Sequence, residues 1–243
     1  MQQSPPSPRA EVLVLGVYLT DHPTWVEHVS AALSASSDWL VVQRWAALGR
    51  RDIPAALEPI TPWRSESLVP KFQAINHLAA QADLERAAWT VICDDDIALP
   101  ARFLDEYLAL SERYDFALAQ PARTPESYID HPFVAQLAGI TARQTRFVEI
   151  GPLFSIRRDA VRLLVPFDET SPMGWGYDAV WPCTMADAGL RMGIVDATPV
   201  SHSFRRPVSC YDREAAEGQM RTYLRGRAHL LPGQAFRILE SYV

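Results

Sequence analysis

With 243 residues and a hydrophobic fraction of 48%, the chain can bury a full α/β core, and no stretch approaches the roughly 18 apolar residues of a membrane span. A net charge of −6 and a pI near 5.5 argue against a nucleic-acid surface, which needs a basic patch to neutralise phosphates, and point to a small-molecule partner. Cys93, Cys183 and Cys210 are far apart and form no Cys-x-x-Cys pair, and the N-terminus lacks the plan of a secretory signal, so a soluble cytoplasmic protein with reduced thiols is expected.

Residues 1–9 carry Gln, Ser and Pro with nothing to bury and are expected to be a disordered tail, leaving residues 10–243 as one domain. Glu11 to Thr20 is a continuous apolar run of the kind that is buried on both faces of a parallel sheet. Thr24 and Glu27 have capping-box spacing ahead of a helix with Trp25, Val26, Val29, Ala32 and Leu33 on one face. Trp39 to Trp45 reads as a second strand, Gly49 to Pro70 as a proline-punctuated loop, and Phe72, Ile75, Leu78, Ala79 and Ala82 as the buried stripe of a helix. Trp89 to Cys93 is a third core strand. Pro100 then opens a helix with Phe103, Leu104, Tyr107 and Leu108 inward, and Phe116 to Gln120 returns as a strand. Pro121 to Arg146 reads as irregular, Phe147 to Ile156 as a strand, and Met192 to Val200 as a strand broken by Pro199. Ser203 to Gly218 lacks apolar periodicity, whereas Gln219 to Leu231 regains helical character, so about residues 203–243 are expected to form a lid or helix segment.

This rhythm is that of an open, mostly parallel α/β sheet flanked by helices, in which ligands sit beyond the carboxyl ends of the strands. The loops after Thr20, Cys93 and Ile156 should then share the site face, with Pro121 to Arg146 as a candidate acceptor-side wall. Asp94, Asp95 and Asp96 follow an apolar strand directly. Three adjacent like charges there are costly, and a divalent cation such as Mn²⁺ or Mg²⁺ relieves the cost because hard cations prefer carboxylate oxygens. A polar turn that caps the next helix is the alternative. In an extended segment Asp94 and Asp96 face one way and Asp95 the other.

The strand-Asp-Asp-Asp element resembles the Asp-x-Asp motif of GT-A glycosyltransferases. Met173 to Trp181 (MGWGYDAVW) resembles the Trp-Gly-Gly-Glu segment of galactosyltransferases and polypeptide N-acetylgalactosaminyltransferases, and Val200 to Arg205 (VSHSFR) is similar to the His-x-Phe-Arg of the latter. A little-characterised family of plant and bacterial glycosyltransferases is closer still. With it the chain shares Gln120-Pro121-Ala122, Phe147-Val148-Glu149, Pro152-Leu153-Phe154-Ser155, Gly174-Trp175-Gly176-Tyr177-Asp178, Gly193-Ile194-Val195-Asp196 and Val200-Ser201-His202. The resemblance covers about residues 88–206.

What it implies is a single-domain GT-A fold and a metal-dependent transfer of sugar from a nucleotide-sugar donor, expected to be a UDP-sugar, to a sugar or other hydroxyl-bearing acceptor. Asp94, Asp96 and His202 become the metal ligands, with Asp94, Asp95, Lys71 and Arg205 at the donor. Asp178 becomes the catalytic base, with Trp175, Gly176 and Glu149 at the acceptor. Each has a plainer reading. Asp178 could cap a helix that Pro182 kinks or delays, and His202 could be a structural hydrogen-bonding residue. Lys71 could be a solvated lysine at a helix start, Arg205 and Arg206 surface arginines, and Glu149 a partner of Arg157 or Arg158. Asp168 and Glu169 could help to shape the Gly-Trp-Gly turn. A nucleotide-binding module without activity, or a metal-dependent nucleotidyltransferase or phosphohydrolase, would use the same acidic cluster.

Overall fold

The computed structural model describes residues 9–205 and 212–243; the expected tail, together with Arg206, Pro207 and Cys210, falls largely outside the described residues. The chain runs β1 (Glu11–Leu19), α1 (Val26–Ser34), β2 (Leu40–Leu48), β3 (Trp63–Ser65), α2 (Lys71–Ala79), β4 (Trp89–Asp94), α3 (Phe103–Arg113) and β5 (Phe116–Arg123). It continues through β6 (Ala142–Thr145), β7 (Leu153–Arg157), α4 (Arg158–Leu164), α5 (Tyr177–Asp187), β8 (Arg191–Val200), α6 (Arg213–Leu224), α7 (Pro232–Ala235) and β9 (Ile238–Tyr242).

The strands form one sheet in the order β3-β2-β1-β4-β7-β5-β8-β6-β9. From β3 to β4 every pairing is parallel, as the uninterrupted apolar runs predict. Beyond β4 the sheet is mixed: β7 runs antiparallel to both β4 and β5, β5 pairs parallel with β8, and β6 joins β8 and β9 antiparallel. Alternation along β1 sends Leu13 and Leu15 to one face and Val12 and Val14 to the other. The first face packs on α2, α4 and α5 through Phe72, Ile75, Val161 and Trp181; the second packs on α1 and α3 through Val29, Leu33, Leu104 and Tyr107. Among the described residues no helix is long and apolar enough to cross a membrane.

Three stretches depart from expectation. Pro121 to Arg146 is not irregular throughout, because β5 continues to Arg123 and Ala142–Thr145 is an interior strand. Phe147 to Ile156 is a strand only from Leu153; its first half is a turn, with the Glu149 amide donating to the Gln120 side chain rather than to a neighbouring strand. The helix expected from Gln219 begins at Arg213, where the Asp212 carboxylate caps it by accepting from the amides of Glu214 and Ala215. Proline does not break the other two elements: β8 passes through Pro199, and α5 starts at Tyr177 and runs through Pro182.

Candidate functional site

A cavity of about 400 Å³ opens beyond the carboxyl ends of β1, β2 and β4. Its apolar wall includes Leu19, Leu48, Leu68 and Val69, and its polar wall is the Asp94 to Asp96 cluster with Lys71, His202 and Arg205. The strand ends converge here because β1 pairs in register with both β2 and β4, so Leu19, Leu48 and Asp94 finish on one edge.

Each aspartate already has a cationic neighbour. Lys71 Nζ lies 2.7 Å from Asp94 Oδ1 and donates to the Ile150 carbonyl at 3.1 Å, and its side chain is only 17% exposed, which excludes the solvated-lysine reading. Arg205 Nη2 reaches Asp95 Oδ1 at 2.7 Å and Asp96 Oδ2 at 3.1 Å, so this arginine is no free surface group. Asp95 turns toward β1, where its carboxylate accepts the Leu19 amide at 3.2 Å, and burial raises its pKa against the opposing pull of Arg205. Burial would raise Asp96 too, but the His202 hydrogen bond and the charges of His202, Arg205 and Lys71 outweigh it and hold that carboxyl below the usual range.

His202 comes to the cluster through tertiary pairing. A β-bridge between Ala98 and Ser201 places the end of β8 beside the turn after β4, the Ser127 hydroxyl accepts the His202 amide, and His202 Nε2 stands 3.2 Å from Asp96 Oδ1. Among the described residues no three His, Cys, Asp or Glu side chains converge as a ready-made metal cluster. The donor chemistry at Asp96 and His202, one carboxylate and one imidazole side by side, suits Mn²⁺ or Mg²⁺ completed by phosphate and water oxygens. Asp94 is held by Lys71 instead of turning its carboxylate to His202.

The Gly-Trp-Gly turn borders the same cavity through Pro172 and Met173. Gly174 has φ +85°, and any Cβ there would collide with the Phe72 ring at the start of α2. Gly176, not Asp178, is the N-cap of α5, which sets aside helix capping as the role of Asp178. A Cβ on Gly176 would come within 3.1 Å of Met220 and 3.3 Å of Leu224 of α6, while the Arg213 guanidinium lies 5.9 Å from the Trp175 ring centroid. Asp178 stands in the first turn of α5, and burial lifts its pKa to about 6 against the backbone amides of Ala179 and Asp178 itself.

Glu149 is 9% exposed, and its partner is Arg123 at 2.7 Å rather than Arg157 or Arg158. Arg157 pairs with Asp115 and Asp159, and Arg158 donates to the carbonyls of Arg86 and Ala87. Burial raises Glu149 to about 7; Arg123 opposes this and the charges of Asp130 and Asp178 add to it. Arg123 also donates to the Gly151 carbonyl, so the turn from Glu149 to Gly151 is held by Arg123 on one side and Lys71 on the other. Sequence reading missed Arg123, whose only local signal is its place at the end of an apolar strand. Asp168 accepts an ion pair from Arg227, and its carbonyl accepts the Tyr177 hydroxyl, which braces the Gly-Trp-Gly turn.

A second cavity of about 400 Å³ lies between α4, α5 and the segment after α6, lined by Phe167, Trp181 and Tyr223, and it shares none of the three aspartates.

No protein-family model matches the chain, and no curated protein matches it in sequence. Solved structures do. The chain aligns over 87% of its length with GalNAc-T7 in complex with UDP, GalNAc and Mn²⁺, at 12% identity and a TM-score of 0.58. It aligns over 88% of its length with residues 1–349 of TarS from S. aureus in complex with UDP-GlcNAc, at 11% identity and a TM-score of 0.55. It aligns over 79% of its length with the mannosyltransferase PcManGT from Pyrobaculum calidifontis in complex with GDP-Man and Mn²⁺, at 17% identity and a TM-score of 0.51. The alignments span 48%, 65% and 58% of those chains respectively. The likeness establishes the fold: a mixed sheet flanked by helices, as in GT-A glycosyltransferases.

Proposed function

We propose that this GT-A domain transfers a sugar from a nucleotide-sugar donor, of which a UDP-sugar is the expected form, to a hydroxyl acceptor with a divalent cation as cofactor. The observation that carries this reading is the meeting of Asp96 and His202, 3.2 Å apart in the cavity wall, although one follows β4, the other follows β8, and they lie far apart in the chain. Mn²⁺ or Mg²⁺ held there by Asp96 and His202 would supply Lewis-acid stabilisation of the leaving diphosphate. The charge balance supports the need for it. Three aspartates against Lys71 and Arg205 leave the strand end net negative, which repels a diphosphate, whereas one added divalent cation makes it net positive.

In this reading the chain's own residues divide the work. Leu19, Leu48, Leu68 and Val69 cover the nucleotide and exclude water, while Lys71 fixes Asp94 at the donor. Asp178 takes the proton of the accepting hydroxyl as that oxygen attacks the anomeric carbon. A carboxyl with a pKa of about 6 is ionised at neutral pH yet more basic than an exposed aspartate. Glu149 and Trp175 orient the acceptor. The motifs that the chain shares with the plant and bacterial glycosyltransferase family support the same reading.

Incubation with a panel of UDP- and GDP-sugars and Mn²⁺, with release of free nucleotide measured, tests the reading and names the donor. Slow Mn²⁺-dependent hydrolysis of one nucleotide sugar supports it. Tight nucleotide binding with no turnover on any donor and acceptor panel would favour a binding module, and cleavage of plain nucleotides a phosphohydrolase.

A further inference from the structure

Arg205 is the most heavily engaged cation at the site. Its Nη2 lies 2.7 Å from Asp95 Oδ1 and 3.1 Å from Asp96 Oδ2, and its Nη1 donates to the Pro23 carbonyl at 2.7 Å and to Asp95 Oδ2 at 3.3 Å. The preceding residue is docked as well: the Phe204 ring lies 4.4 Å from the Trp25 ring, and the Trp25 amide donates to the Asp95 carbonyl at 2.8 Å. The two carboxylate partners of the guanidinium are not equivalent. Asp95 is 2% exposed, holds the Leu19 amide and meets Arg205 with both oxygens, so that pair is locked into the β1–β4 edge. Asp96 meets Arg205 with one oxygen only, while its other oxygen faces His202.

We propose that Arg205 is a displaceable counter-ion: its guanidinium and the divalent cation compete for Asp96, whereas its bonds to Asp95 and Pro23 persist in both states. The inference rests on the metal reading above and adds to it a residue that sets metal affinity and binding order. A guanidinium is a fixed cation that stays protonated, so it cannot leave Asp96 by losing a proton, and only a competing cation or anion can draw it away. When a cation takes Asp96 and His202, Nη2 loses one carboxylate oxygen and turns its free N–H toward the cavity that holds the donor. The expected order is therefore metal before, or together with, the nucleotide. The tether to Asp95 keeps the arginine within reach, so the exchange is local and the segment from Ser201 to Arg205 stays docked.

Mn²⁺ binding to the whole protein without nucleotide, followed by electron paramagnetic resonance of the free ion, tests this without reference to activity. Arg205→Gln should bind Mn²⁺ about tenfold more tightly than the wild type, since one charge-assisted hydrogen bond to a ligand no longer has to be broken. That gain is opposite in sign to what loss of a merely structural arginine would produce. Arg205→Lys keeps the charge but cannot bridge two carboxylates and should fall between the two, which preserves the test if the glutamine variant does not fold. Lys71→Gln, which removes a cation from Asp94 instead, should change Mn²⁺ affinity much less. Unchanged or weaker Mn²⁺ binding by both Arg205 variants would overturn the proposal while leaving the metal reading standing, as would an equal gain in Lys71→Gln, which would mark a diffuse charge effect. No Mn²⁺ binding by the wild type or any variant would remove the metal reading and this inference together.

Discussion

Lys71, the only lysine of the chain, closes on Asp94 at 2.7 Å and thereby ties the start of α2 to the end of β4. The same ammonium holds the Ile150 carbonyl, and a Cβ on Gly151 would come within 2.9 Å of Lys71 Nζ and 3.1 Å of Asp94 Oδ2. A side chain at position 151 would thus meet the charged ends of the ion pair itself. Gly151→Ala should push Lys71 off Asp94, costing about 1–2 kcal/mol of stability and weakening nucleotide binding in Mn²⁺; urea unfolding and calorimetry read the two effects separately. Unaltered affinity would mean that the Lys71–Asp94 pair does not shape the donor site.

Removal of the metal should remove the nucleotide. Asp96→Asn and His202→Ala are each expected to lower UDP affinity in Mn²⁺ to the level that the wild type shows in EDTA, because the two side chains meet at 3.2 Å and, in the proposed reading, would hold one ion. If the wild type binds UDP equally well in Mn²⁺ and EDTA, the metal assignment fails.

Asp178 should reveal itself in both rate and pH dependence. As a general base it must be ionised, so transfer should fall about tenfold per pH unit below its pKa of about 6. Asp178→Asn should lower transfer by ~10²–10⁴ and leave donor binding intact. A variant that keeps wild-type transfer rules the base out.

The same raised pKa has an opposite consequence for stability. Because the folded pKa lies above the ordinary aspartate value of 3.8, the residue's favourable contribution is fully present below that value and is lost as pH rises through about 6. Asp178→Asn should therefore be neutral at pH 4 and stabilising by ~1–2 kcal/mol at pH 8, after allowance for partial exposure. Thermal melts at the two pH values check the sign. A variant less stable at pH 8 than the wild type would show that the carboxylate has a partner which offsets its burial.

Arg123 and Glu149 form a pair with side chains only 3% and 11% exposed. Arg123→Met leaves Glu149 buried without its cation and should cost ~3–5 kcal/mol, the loss growing as pH rises above 7, where Glu149 would have to ionise alone. Denaturant unfolding against pH measures it. A loss independent of pH would point to packing as the role of the arginine.

Much of the first half of the fold was legible because its signals are local. The apolar runs at Glu11–Thr20 and Trp89–Cys93, the stripes headed by Trp25, Phe72 and Phe103, and the acidic triplet at a strand end each declare themselves within a few residues, since helix and strand periods are short-range properties, although Trp25 itself is the half-exposed N-cap of α1 and not part of its buried face. The later elements were hidden for identifiable reasons. β6 carries Arg143 inward, a residue that reads as exposed until Asp196, 53 positions away, meets it at 2.8 Å. α6 buries little besides Ala216 and Tyr223, too sparse a stripe to show a period.

At the site the sequence determined which side chains were present and which chemistries they could perform, and only the tertiary structure decided their partners. Asp95 and Arg205 are 110 residues apart, Arg123 and Glu149 26, and each pair forms because strand register and the Ala98–Ser201 bridge carry distant segments to one sheet edge. The sequence offered a divalent cation as relief for three adjacent carboxylates; the folded chain supplies part of that relief itself through Lys71 and Arg205. Such compensation is invisible in the linear chain because Coulomb interaction depends on distance in space, and distance in space is set by packing.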